Sequence, residues 1–160
     1  MDVETAVWNA TLAGSLAKCA KSKRGVFIWD AEGGIAGGEN SPPNGFSCDG
    51  SALCRTSCGK VAVHAEQRAI LAAIRIGTAG RLRGAEMLHT KVEFREGSAS
   101  SVPGGPPSCP DCSKLILESG IAGMWLIEER DGKATPVRYT AAEFHDQTLR
   151  NCGLHPYRLP

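Results

Sequence analysis

The sequence predicts an α/β fold, a three-layer α/β/α sandwich in which a mixed sheet carries helices on both faces. Apolar residues at helical spacing alternate along the chain with short runs of β-branched and aromatic residues, and Gly, Pro, Asn or Asp mark the changes of pattern. At 160 residues the chain has the size of one ordinary domain, so residues 1–160 are expected to form a single unit around one core.

Val3, Ala6, Val7, Ala10, Ala13 and Ala17 recur at steps of three and four, predicting a first helix over residues 2–21. Val26-Phe27-Ile28-Trp29 predicts a buried strand over 25–30. Ala31-Glu32-Gly33-Gly34 then turns the chain into a short second strand near Ile35, giving a hairpin. Residues 39–59 hold Gly, Pro, Asn, Ser and Cys with no period; a stretch this long is expected to be a functional or metal-stapled loop. A second helix is expected over 61–76, closed by Gly77, and a strand over 85–94. A loop rich in Gly, Pro and Ser follows over 97–107. Ser108, with Asp111 three residues on, is expected to cap a third helix that ends at Gly120. A strand over 123–128, an Asp131-Gly132 turn and a last strand at 136–139 come next. Thr140 and Glu143 form a capping box for a fourth helix ending near Gly153.

Eighteen basic and 17 acidic residues are interspersed, so no basic stripe exists to neutralise many phosphates, and long nucleic acid is not indicated as a partner. No apolar run approaches the roughly 20 residues of a membrane helix, and residues 1–10 lack the order of a signal peptide. A cytoplasmic location without membrane partners is therefore expected. Seven cysteines is a high count for such a chain, and where thiols stay reduced, short cysteine spacings point to metal before disulfides.

Two segments carry the chemistry: His64-Ala65-Glu66 and Cys109-Pro110-Asp111-Cys112, each expected to open a helix. A catalytic zinc takes three protein ligands and keeps a fourth position for water, and one histidine with two thiolates is a standard set. Cys109 and Cys112, three apart, share one side of a helical turn. Helix N-termini favour the thiolate form and offset its charge. Glu66 is then a carboxylate beside a water whose pKa the zinc lowers to about 7, able to take that proton and pass it to a ring nitrogen and a leaving amine. Either segment alone is weak. A structural zinc finger built from Cys109, Cys112 and two earlier cysteines would leave Glu66 unexplained.

An H-x-E segment followed by C-x-x-C is the signature of zinc deaminases, and in it the chain resembles the cytidine deaminase-like superfamily, most of all its deoxycytidylate (dCMP) deaminase branch. The resemblance runs from about residue 16 to residue 120. Its carriers are Cys19 with Arg24-Gly25-Val26, the loop Glu39-Asn40-Ser41-Pro42-Pro43-Asn44-Gly45, the run from His64 to Ile70, and the segment from Cys109 to Ile121. The resemblance implies a five-stranded sheet, a catalytic zinc, a homo-oligomer and a small-molecule base, nucleoside or nucleotide as substrate, with dCMP in the lead and ammonia released. It also implies that Asn40 touches the sugar and that Ala65 lies in the substrate site. Two departures weaken the transfer of substrate: Ser108 stands where the family has proline before its first zinc cysteine, and residues 96–107 form an insertion expected at the mouth of the site. A free or modified base or nucleoside, purines included, or a base in single-stranded nucleic acid are the alternative substrates. Lys23, Arg24 and Arg68 are all open as phosphate ligands.

Cys48-x5-Cys54-x3-Cys58 packs three thiols into the irregular 39–59 stretch, which a closed structural zinc site would order. In the dCMP deaminase branch a cysteine at the place of Cys19 pairs with one at the place of Cys48 around a structural metal, so Cys19 is the favoured fourth ligand and His89 its substitute. Small buried residues or a disulfide are the other readings of these cysteines.

Overall fold

The computed structural model describes residues 1–154; residues 155–160 of the expected single domain lie outside the described part. Helix α1 (Val3–Ser15) starts where the Asp2 side chain accepts from the Thr5 amide at 2.8 Å. Strands β1 (Lys23–Asp30) and β2 (Gly33–Glu39) follow, then helices α2 (Ala52–Val61) and α3 (Ala65–Arg75). After them come β3 (Glu86–Arg95), β4 (Ser98–Val102), α4 (Pro110–Glu118), β5 (Gly123–Arg130), β6 (Lys133–Thr140) and α5 (Ala141–Asn151). The sheet runs β2-β1-β3-β5-β6, with β4 pairing the far end of β3. It is mixed, because β3 and β5 are parallel and the other pairs antiparallel.

Alternation along the strands sorts the side chains into two cores. Val26, Ile28, Met87, Met124 and Leu126 face α3, α4 and α5, while Trp29 and Leu88 face Ala6 and Ala10 of α1. The α/β/α sandwich is thus present, with a sixth strand beyond the five expected.

The differences from the sequence reading have physical causes. Helix α1 stops at Ser15 and not near residue 21, with Leu16 as its C-cap, and Gly14 in its last turn lies against the β1 backbone, where a Cβ would meet Gly25 N at 2.9 Å. Ala17 and Cys19 are buried from the connection that follows, which extended the helical period falsely. The 39–59 stretch holds α2, capped by Ser51 on the Cys54 amide, and no α2 residue is buried, so no apolar stripe marks it. Residues 98–102 form a strand instead of loop. Its hairpin with β3 turns on Glu96 (φ 51°) and Gly97 (φ 81°), the left-handed pair that a two-residue turn needs. Cys109, not Ser108, is the cap of α4, with Pro110 in the first helical position. The capping box of Thr140 and Glu143 is present as expected.

Candidate active site

Two helix starts meet above the sheet. Ser41 and Val63 form an isolated antiparallel bridge, with amide-to-carbonyl distances of 3.2 and 2.9 Å, which places residue 64 at the end of β2. His64 caps α3, its amide donating to Gln67 Oε1 at 3.1 Å. Cys109 caps α4, and its Sγ accepts from the Cys112 amide at 3.4 Å. The ligand atoms of His64, Cys109 and Cys112 come within 4.8 Å of one another, with His64 Nδ1 at 3.2 Å from Cys112 Sγ.

This set fits a zinc ion. Nitrogen and sulfur ligands of a tetrahedral zinc sit roughly 3.5–3.8 Å apart, close to the spacing found. The electrostatics fit as well. The bond from Cys112 holds the Cys109 thiol down at about 5, against the upward pull of burial and with help from His64. The neighbouring Cys109 raises the His64 imidazole to about 9, and the Cys112 thiol is pushed up by Cys109, by burial and by Glu66. Three donors thus compete for protons in one small volume, a competition that a dication relieves. The dipoles of α3 and α4 add positive potential.

Glu66, two residues into α3, is 9% exposed and opens onto the same cavity of about 290 Å³ as the three ligands. A volume of this order suits a small molecule. Ala65 lines it and is buried. Asn40 lines it too, but both halves of its amide also hold the start of β1: Oδ1 accepts from Arg24 N at 2.7 Å and Nδ2 donates to Ser22 O at 2.9 Å.

Residues 104–107, part of the segment expected at the mouth of the site, line the cavity, whereas Leu126 and Phe144 were not singled out from the sequence. Gly104 to Ser108, Leu126 and Phe144 close the cavity, Phe144 reaching it from α5. His89 lies here, on β3, and does not line the groove that the outer cysteines line, although Cys58 borders both. Neighbouring strands place Val26, His89 and Leu126 side by side. Burial lowers the His89 pKa.

Four of the other five cysteines gather as two pairs. Cys19 and Cys58 Sγ are 3.0 Å apart and Cys48 and Cys54 Sγ 3.3 Å apart, all four thiols free. The Ala20 amide donates to Cys48 Sγ at 3.3 Å and lowers its pKa. Among the described residues no three of these cysteines meet within the 4.8 Å that unites His64, Cys109 and Cys112. Cys58 borders both the cysteine groove and the active-site cavity.

This architecture is the cytidine deaminase-like fold. A crystal structure of dCMP deaminase from the cyanophage S-TIM5 matches over 81% of this chain and 84% of its own, at 24% identity and a TM-score of 0.57. Cytidine deaminase from Burkholderia pseudomallei matches over 90% and 96%, at 16% identity and a TM-score of 0.56. The cyanophage enzyme in complex with dCMP and dUMP matches over 74% and 75%, at 25% identity and a TM-score of 0.50. No family model and no curated protein matches the sequence. The resemblance seen in the sequence is thus met by the structural neighbours, dCMP deaminase among them. No helix of the described residues is long and apolar enough to cross a membrane.

Proposed function

We propose that this chain is a zinc-dependent hydrolytic deaminase of a cytosine nucleotide or nucleoside, with dCMP the favoured substrate and ammonia the product. The observation that carries the reading is the position of Glu66, a buried carboxylate two residues after His64, on the same cavity as the His64, Cys109 and Cys112 cluster. His64, Cys109 and Cys112 would hold the metal, which when bound lowers the pKa of a coordinated water toward 7. Glu66 would take one proton from the attacking water and pass it to the ring nitrogen, then take a second from the hydroxyl of the resulting adduct and pass it to the departing amine, so that it ends each cycle ionised as it began. The Gly104 to Ser108 segment and Leu126 exclude bulk water, which strengthens every polar contact inside. Asn40 retains one amide hydrogen and one lone pair for the sugar after its bonds to Ser22 and Arg24. Ala65 forms part of the wall beside the base.

A second, structural zinc on Cys19, Cys48, Cys54 and Cys58 belongs to the same reading, as do a homo-oligomer and a cytoplasmic location. Helix α2 supports the structural zinc: with no buried residue, it needs another source of order, and Cys54 and Cys58 are its two thiols.

Ammonia release from free bases, nucleosides, nucleotides and oligonucleotides tests the substrate. Turnover of dCMP or deoxycytidine is expected, and turnover of an oligonucleotide alone would refute the reading. Glu66→Ala is expected to keep catalytic zinc and lose turnover by at least about 100-fold. A fully active variant would exclude the mechanism.

A further inference from the structure

The deaminase reading leaves Arg24, a half-buried cation on the cavity, without a task. Arg24 stands on β1, two residues before Val26, and lines the cavity that holds Glu66. Its Nη1 donates to the Gly104 carbonyl at 2.9 Å. A guanidinium carries five N–H donors, and among the described residues no carboxylate lies within ion-pair distance of it, since none of the salt bridges formed involves Arg24. Among the described residues, Glu66 is the only carboxylate that lines the same cavity. Burial of the guanidinium lowers its pKa, a sign that its charge is partly stripped of water, with the charge of Glu66 acting the other way.

The other cations that the sequence left open are engaged elsewhere. Arg68 Nη2 donates to Pro42 O at 3.1 Å and its Nε lies 3.6 Å from Glu39. Lys23 donates to the Ala17 carbonyl and sits over the Phe94 ring. Neither lines the cavity, where the remaining cation is Lys21, exposed at the edge.

The wall facing Arg24 is built for close approach. A Cβ on Gly104 would fall 2.7 Å from Arg24 Nη1 and 3.7 Å from His89 Cε1. The backbone reaches the guanidinium here with no side chain from residue 104 between them, and Gly105 beside it adds none. With burial holding its pKa down, His89 adds no second charge near neutrality.

We propose that Arg24 is the specificity-determining residue for a phosphomonoester on the substrate, so that the site prefers a nucleoside monophosphate to its parent nucleoside. This deepens the deaminase reading and rests on it for the identity of the rest of the ligand. The fork of a guanidinium suits phosphate oxygens, and Gly104 O holds one edge of it so that the other edge faces the ligand.

Binding measured by calorimetry on the zinc-loaded protein tests this apart from turnover. The ligands are the 5′-monophosphates of the cytosine, uracil, adenine and guanine nucleosides, each set against its parent nucleoside, with inorganic phosphate as competitor. Wild type is expected to bind at least one monophosphate about 10- to 100-fold more tightly than its nucleoside. Arg24→Gln is expected to bring that ratio near one, and Arg24→Lys to restore part of it. Thermal unfolding checks that both variants fold. A wild type that prefers no monophosphate overturns the proposal. So does an Arg24→Gln protein that loses affinity for both members of a pair equally, because Arg24 would then only pin Gly104. Absence of ammonia release together with Arg24-dependent phosphate preference would sink the deaminase reading and leave this site standing.

Discussion

Gly38 of β2 lies directly beneath Ala69 of α3: a Cβ on Gly38 would fall 2.4 Å from the Ala69 amide nitrogen and 2.5 Å from the Ala65 carbonyl oxygen. Both are backbone atoms of the helix that begins with His64 and Glu66, so this contact sets the height of the metal site above the sheet.

Gly38→Ala is accordingly expected to lift α3, costing about 1–3 kcal/mol of stability and lowering zinc retention together with it. Gly37→Ala is the control, because its Cβ would meet nothing nearer than 3.6 Å. Thermal melts and zinc content of both variants check this; equal behaviour of the two would remove α3 seating as the cause.

Zinc measured per chain checks the cysteine cluster. Close to two ions are expected, and the Cys54→Ser, Cys58→Ser double variant is expected to hold close to one while His64, Cys109 and Cys112 stay loaded. Because α2 buries no residue and Cys58 also borders the active-site cavity, the loss should raise the Michaelis constant as well. A single zinc that persists through the double substitution would rule the site out, and the two close pairs would then be thiols or disulfides.

Much of this site could be read from the sequence, because its chemistry sits in contiguous segments. His64, Glu66, Cys109 and Cys112 are each within three residues of a partner, and helix starts project such neighbours to one point. What escaped was set by tertiary contact. Helix α2 has no apolar stripe to betray it. Strand β4 is Ser-Ala-Ser-Ser-Val, and its turn uses Glu96 at positive φ, a residue that does not advertise a left-handed conformation, whereas Asp131-Gly132 in the matching β5-β6 turn does. His89 was visible as a histidine in a strand, but only the register of β1, β3 and β5 brings it to the cavity that Glu66 lines.

His89 also gives the protein an acid-side dependence. Burial lowers its folded pKa below the ordinary 6.5. Unfolded chains therefore bind a proton, as pH falls through 6.5, that the folded chain does not. The sign follows: the stability tied to neutral His89 is complete above 6.5 and is lost as pH falls toward the folded pKa. Melting points between pH 7.5 and 5 should decline more steeply in wild type than in His89→Gln at the same zinc loading. Identical slopes would show that His89 is not a source of the dependence.

The segment 96–107 is expected to shape substrate entry without supplying a catalytic group. Its first half is the β3-β4 hairpin, fastened by Thr90 Oγ1 and Ser101 Oγ at 2.5 Å. Its second half runs along the cavity, held by Arg24 at Gly104, by the Ile127 carbonyl on the Gly104 amide at 3.4 Å, and by Asn151 Nδ2 on the Pro107 carbonyl at 2.9 Å. The three anchors lie on β1, β5 and α5, so the wall should survive loss of the hairpin but sit less firmly. Cutting residues 97–101 is then expected to raise the Michaelis constant by several fold, or to shift the preference among substrates, with catalytic zinc retained, because Cys109 and Cys112 belong to α4 and not to the segment. Steady-state kinetics beside metal content decide it: loss of zinc from the shortened protein would mean that the hairpin supports the start of α4, and unchanged kinetics would mean that it has no part in the entrance.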